Sequence, residues 1–244
     1  MMMTTKKTTL IAICMALVAG IVGCSKNTSE TTAAADKAAP SLADATSPKG
    51  VQQATVNALP KGNPATAADQ YRDLNENSLM FTYCALSSLP VDYSQILVNY
   101  SRDYVTTSDE FKKHDIETAL KPKIDQEIAA AKSARYLKVS WGHFKLGQYD
   151  FQAKGFSTDL NNDTSFGWNG SYRMNFSNGN DFKLLKVDDE SKSRAIEALR
   201  SKYQQFTLIA YVFAQDVDLN QHTVKAQIMK ISLQDSQGNE LAAP

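Results

Sequence analysis

"QFTLIAYVFAQDVDL", residues 205–219, is the stretch on which the fold turns. Phe206, Leu208 and Val212 fall on one side of an extended chain, and Ile209, Tyr211 and Phe213 fall on the other. Successive side chains of a strand point to opposite faces, so a run that is apolar on both sides belongs in the middle of a sheet. "TVKAQIMKISL", residues 223–233, follows after Asn220-Gln221-His222, and the two runs predict a closing hairpin.

Upstream, the pattern alternates between extended and helical. Leu137, Val139 and Trp141 alternate with polar residues, and "FKLGQYDF", 144–151, reads as a second extended run. "SYRMNF" and "FKLLKV" flank Ser177-Asn178-Gly179-Asn180, which predicts a hairpin turning at Asn178-Gly179. Asp188-Asp189-Glu190 then opens a helix closing near Arg200, with charges placed to suit the macrodipole.

The stretch from Asp69 to Ile128 is helical in period. Asp69 is a candidate cap for a helix over 70–87, where Tyr71, Leu74, Phe81 and Cys84 recur at helical intervals. A second helix restarts after Pro90 and buries Tyr93, Ile96, Leu97 and Tyr100. Thr107 and Glu110 have capping-box spacing and open a third, which carries Phe111, Ile116 and Leu120. Pro122 is expected to break or kink it before Ile124 and Ile128. The expected class is α+β: N-terminal helices packed on a mostly antiparallel sheet, with one further helix before the last hairpin.

Residues 69–244 are long enough for one domain with a real core. Residues 25–68 are not of that kind. Of these 44 positions, 26 are Ala, Ser, Thr or Pro, and no aromatic residue precedes Tyr71. Such a segment buries too little apolar area to offset chain entropy, so 24–68 is expected to be a disordered tether. As a flexible coil it would span about 36 Å root-mean-square.

Ahead of it, Lys6 and Lys7 precede an uncharged run from Leu10 to Gly23. A helix of that length reaches only about 21 Å, short of a bilayer core, and the pattern is that of a secretory signal over 1–23. Ile21-Val22-Gly23-Cys24 resembles the lipobox of bacterial lipoproteins. That resemblance implies cleavage between Gly23 and Cys24 and a lipid anchor on the Cys24 sulfur. One acyl chain binds a membrane marginally, whereas two or more anchor stably. Ser25, where an Asp would favour inner-membrane retention in that family, implies sorting to the outer membrane.

Few residues of the domain point to chemistry. Cys14 lies in the signal and Cys24 at its end, which leaves Cys84 with no partner for an internal disulfide and a packing role. Asp159, Asn161, Asp163 and Ser165 reproduce the alternating oxygens of a calcium loop, yet Thr164 stands where the sixth-position Gly belongs and Gly170 where the bidentate acid belongs. A polar turn explains the same residues, so no metal or cofactor is expected. His114, His143 and His222 share no ligand spacing, and Asp216, Asp218 and Asn220 read as solvated polarity near a turn. No nucleophile elbow, phosphate-cradling loop or paired-acid motif occurs, so an enzyme is not expected. Without Lys6 and Lys7, 24 basic residues face 26 acidic ones, with no basic stripe for nucleic acid.

"LGQYDFQAKGF", Leu146 to Phe156, together with "DEFKKHD" at 109–115, resembles a family of uncharacterised bacterial lipoprotein domains, for which no activity is known to carry over. Tyr149, Phe151 and Phe156 are expected to serve core and turn packing. The expected function is a membrane-anchored envelope module that binds a protein or cell-wall partner without catalysis. The alternative is a small-molecule or lipid binder that uses a cleft between helices and sheet.

Overall fold

The computed structural model describes residues 47–167 and 171–243. The expected signal, the Gly23–Cys24 cleavage position and the acylated thiol lie outside those residues. The described chain is α+β, with a mixed sheet.

Its centre is the hairpin expected at the C-terminal end. Strands β8 (Phe206–Asp218) and β9 (Thr223–Gln234) pair antiparallel from Thr207↔Gln234 to Asp218↔Thr223. Asp218 Oδ1 accepts the Asn220 and Gln221 amides and closes the turn. The sheet runs β1-β2-β8-β9-β6-β5, with β10 on β9. Here β1 is Arg72–Asp73, β2 Tyr136–Phe144, β5 Ser165–Gly167, β6 Arg173–Phe176 and β10 Glu240–Ala242. Two pairings, β1 with β2 and β6 with β9, are parallel.

One face of the sheet packs on helices. Leu137, Val139, Leu208, Val212, Val224 and Ile228 are fully buried there. They share a cluster with Leu79 and Met80 of helix α2 (Glu76–Leu86), Ile96 and Leu97 of α3 (Tyr93–Tyr100), and Ile124 of α5 (Glu110–Ser133). A short α4 (Arg102–Thr106) joins α3 to α5, and α1 (Pro48–Ala58) precedes them all. The other face carries an aromatic layer. The Tyr71 ring meets those of Tyr136 and Tyr211 edge-on at 5.3 and 5.1 Å, and Phe213 lies 5.0 Å from Tyr136.

Several local expectations are corrected. The first long helix is capped by Asn75 and Ser78, each side chain bonding the other's backbone, so it starts later than Asp69 would place it. Asp69 sits instead in a short 3-10 turn. For α5 the cap is Asp109, which accepts from Phe111 and Lys112, while Thr107 accepts from Asp109 itself. Pro122 lies inside a continuous helix. The Thr118 carbonyl that loses its donor is on an exposed residue, so it is not left unpaired in the core. Phe111, near the start of α5, is 86% exposed.

The hairpin expected at Asn178-Gly179 does not form. β6 pairs with β5 and β9, whereas β7 (Leu184–Lys186) joins β4 (Gly155–Ser157) and β3 (Tyr149–Asp150) in a separate three-stranded sheet. Asn178 acts here as a surrogate peptide group. Its Oδ1 accepts from Ile228 N at 2.7 Å, and its Nδ2 donates to Ile228 O at 2.9 Å. Gly179 then starts a 3-10 turn, packed so closely under the Asn161 carbonyl that no Cβ would fit.

The tether boundary also moves. α1 lies within the expected tether, and Pro60–Thr66 are attached to the sheet. Gln215 is 3% exposed and sits where the β8–β9 register shifts. Its Nε2 donates to Pro60 O at 2.7 Å, and its Oε1 accepts from Ser177 Oγ at 2.6 Å. Gly62 N donates to Gln227 Oε1 at 3.1 Å, and Asn63 N to Tyr136 OH at 2.8 Å. A Cβ on Gly62 would stand 2.7 Å from Phe213 Cβ, so this strap lies flat on the sheet's aromatic face.

A chain that starts at Leu59 should therefore unfold in denaturant like the longer protein. One that starts at Ala68 should lose about 1–3 kcal/mol, because the buried Gln215 amide is left without its acceptor. Equal midpoints for the two would show that the strap contributes nothing.

Candidate functional site

The largest concavity among the pockets described is a groove of about 700 Å³ between helix α6 (Glu190–Ser201) and the β3–β4 turn. That volume lies within the usual range for binding sites. α6 starts at Asp189, whose side chain accepts from Lys192 N at 3.0 Å. Ser193, nearly buried, donates to the Val187 and Asp189 carbonyls at 2.9 Å each and pins the first turn. Ile196 is buried among the core residues, which fixes the helix's rotation.

Glu190, Arg194 and Glu197 therefore line the groove at intervals of four and three, with Arg200 beyond them. Arg194 holds Glu190 through Nη2 at 2.6 Å and Nε at 3.0 Å. Arg200 grips both Glu197 oxygens at 2.6 and 2.7 Å. That hydrogen-bonded fork draws the Glu197 carboxyl below its ordinary range and raises Arg200. The four charges on α6 satisfy one another in pairs, while Lys154 and Asp188 line the groove outside those pairs.

The opposite wall is aromatic. Tyr149 donates its hydroxyl to Val187 O at 3.3 Å and packs against the buried Phe156 at 5.0 Å. Its free edge meets Phe151, 5.2 Å away, which is 85% exposed. Of the three aromatics expected to pack, Phe156 does so fully and Tyr149 partly, whereas Phe151 stands in solvent at the groove. The sequence carried one signal for the polar wall, the Glu-to-Arg spacing on α6, which by itself marks only a solvated helix face.

The calcium-loop residues serve a turn. Asp159 Oδ1 accepts from Ser157 Oγ at 3.0 Å, and Asn161 Oδ1 from Asp163 N at 2.8 Å. Ser165 begins β5 opposite Asn175, and Gly170 lies outside the described residues. Among the described residues, no three His, Cys, Asp or Glu side chains gather to hold a metal. His114 and His143 are exposed on α5 and β2. Asp216 is exposed, and Asp218 is spent on the turn.

His222 and Cys84, distant in sequence, meet at a smaller pit of about 180 Å³ with Tyr83, Tyr172 and Asp92. Burial pushes the Cys84 thiol up to about 11 from 9.0, and Tyr172 up to about 12 from 10.0.

No family model matches the chain, and neither a curated protein nor a solved structure matches it.

The half-buried thiol gives a pH signature. Its folded pKa is raised, so the neutral form is favoured in the fold. That contribution is complete below about pH 9 and is lost as pH rises toward about 11. Cys84 should therefore alkylate slowly in the native protein at pH 8 and rapidly after denaturation, as mass spectrometry would read. Equal rates in the two states would contradict its assigned burial.

Proposed function

We propose that this chain is a lipid-anchored envelope protein whose folded part is a non-catalytic binding module. The anchor would be Cys24, the location the outer membrane, and the partner an envelope protein or cell-wall component. The lipobox-like Ile21-Val22-Gly23-Cys24 and the charged, apolar and small-residue order before it support the anchoring. No helix among the described residues is long and apolar enough to cross a membrane.

One observation carries the binding role: the Phe151 ring, in edge contact with Tyr149, stands 85% exposed at the groove. Aromatic residues beside paired arginines have the composition of interaction hot spots. The groove presents the exposed Phe151 ring, and the four charges of its α6 wall are already paired. It therefore suits an extended segment that supplies an apolar side chain and backbone hydrogen bonds, rather than a free ion. The alternative, a small molecule or lipid held in a cleft between helices and sheet, has less room. The spaces described there reach about 220 Å³, against about 700 Å³ in the groove.

Two tests separate anchoring from contact. Cys24→Ser should abolish palmitate incorporation and leave an unprocessed precursor; labelling equal to the unmodified chain would remove the lipoprotein reading. Phe151→Ala should leave the melting behaviour within about 0.5 kcal/mol, because the ring is exposed. It should nevertheless lose at least one species crosslinked to the native protein in intact envelopes. An unchanged crosslinking pattern would move the contact surface elsewhere.

A further inference from the structure

A second site lies away from the groove, and neither depends on the other. It is a pit of about 220 Å³ beside β1, lined by Arg72, Asn75, Asn77, Phe81, Tyr100 and Glu127 among others. The start of α2, the end of α3 and the second half of α5 meet there at the edge of the sheet. Strand register sets the direction of Arg72. It pairs with Leu137 while Asp73 pairs with Lys138, and residues paired across a ladder share a face. Arg72 therefore lies on the side of Leu137, which is buried under the helices. Asp73 lies on the opposite side, where its carboxylate holds Lys138 at 2.7 Å.

Glu127 reaches the pit from a helix face that is otherwise apolar. Ile124, Glu127, Ile128 and Ala131 fall on one stripe of α5, at helical intervals of three and four. Ile124 and Ala131 are buried, Ile128 packs on the same core, and Glu127 is half-buried between them. A carboxylate on such a stripe is costly unless it is paired. Among the described residues, however, neither Glu127 nor Arg72 belongs to an ion pair, although both line this one pit. Lys123, one turn ahead of Glu127, holds its ammonium 5.7 Å from the Tyr100 ring instead of on the carboxylate. The rest of the wall is mixed. Phe81 meets Tyr100 edge-on at 5.4 Å, and Ala131 adds only a methyl group. Asn75 spends its Oδ1 on the Ser78 amide, which leaves its Nδ2 as a donor.

We propose that this pit binds a small free α-amino acid as its zwitterion, with Arg72 taking the carboxylate and Glu127 the ammonium. Such a molecule carries both charges on one carbon, so it bridges two opposite charges that share a cavity without meeting. A guanidinium suits the carboxylate because it can offer two parallel N–H bonds. The size follows from the space: a cavity of about 150 Å³ takes benzene, so about 220 Å³ takes roughly nine non-hydrogen atoms. Phe81 and Ala131 leave an apolar side for a short aliphatic side chain.

The probe is L-alanine, with alaninamide lacking the carboxylate and propionate lacking the ammonium. Each is titrated into the full chain in non-ionic detergent at about pH 6, where the amines are protonated. NMR signals of the Arg72 side chain, the Tyr100 ring and the Ala131 methyl report binding. Alanine should shift all three and saturate by about 10 mM, and each counterpart should bind about tenfold more weakly. Arg72→Gln and Glu127→Gln each remove one charge and no core contact, so both should keep the denaturation midpoint. Arg72→Gln should lower alanine to the affinity of alaninamide, and Glu127→Gln should lower it to that of propionate. Three results would overturn the proposal: no saturable shift by that concentration, either counterpart binding as tightly as alanine, or an unchanged alanine affinity in either variant.

Discussion

Everything in the described fold hangs on the ladder between β8 and β9. It is the longest pairing present, and it is covered on both faces, by the helices on one side and by the Tyr71–Tyr136–Tyr211 rings on the other. Arg135 reinforces its outer edge. It donates to the Ala214 and Gln215 carbonyls at 2.7 and 2.5 Å while its guanidinium lies 4.6 Å from the Phe213 ring. A strand in that position has no freedom of register, because a slip of one residue would exchange its two apolar faces.

Side-chain amides complete what the backbone leaves open. β9 has β6 beside residues 223–226 and β10 beside its far end, and Asn178 fills the interval by pairing with both backbone groups of Ile228. Gln215 does the equivalent at the irregularity in β8, joining Ser177 to Pro60. Gln215 is buried, so its partners matter more than their number. A buried amide with one partner removed costs more than the bond itself was worth.

The contrast between legible and illegible parts follows from this. β8, β9 and α6 could be read directly, because two-sided apolarity and a clustered acidic start are local signals. Asn178-Gly179 has the composition of a turn, but its side chain bonds a residue fifty positions away, which no local rule can register. Pro60–Thr66 were invisible for another reason. The strap is held through carbonyls and amides met by glutamine and tyrosine side chains, whereas apolar content was the only measure available for it. At the groove, Glu190 and Arg194 were readable as a pair, but Phe151 stands exposed in the turn between β3 and β4, a placement its apolar side chain does not signal.

The strap has a mechanical consequence. Tension applied to the chain upstream of Pro60 passes through the Pro60–Gln215 and Gly62–Gln227 bonds before it reaches any helix of the core. Those bonds join the strap to the two central strands at separate points, so the load is divided between neighbours that already hold each other along their whole length. Peeling would begin at Pro60, and the hairpin would remain intact until the strap had detached. The attachment works as a fuse placed ahead of the sheet.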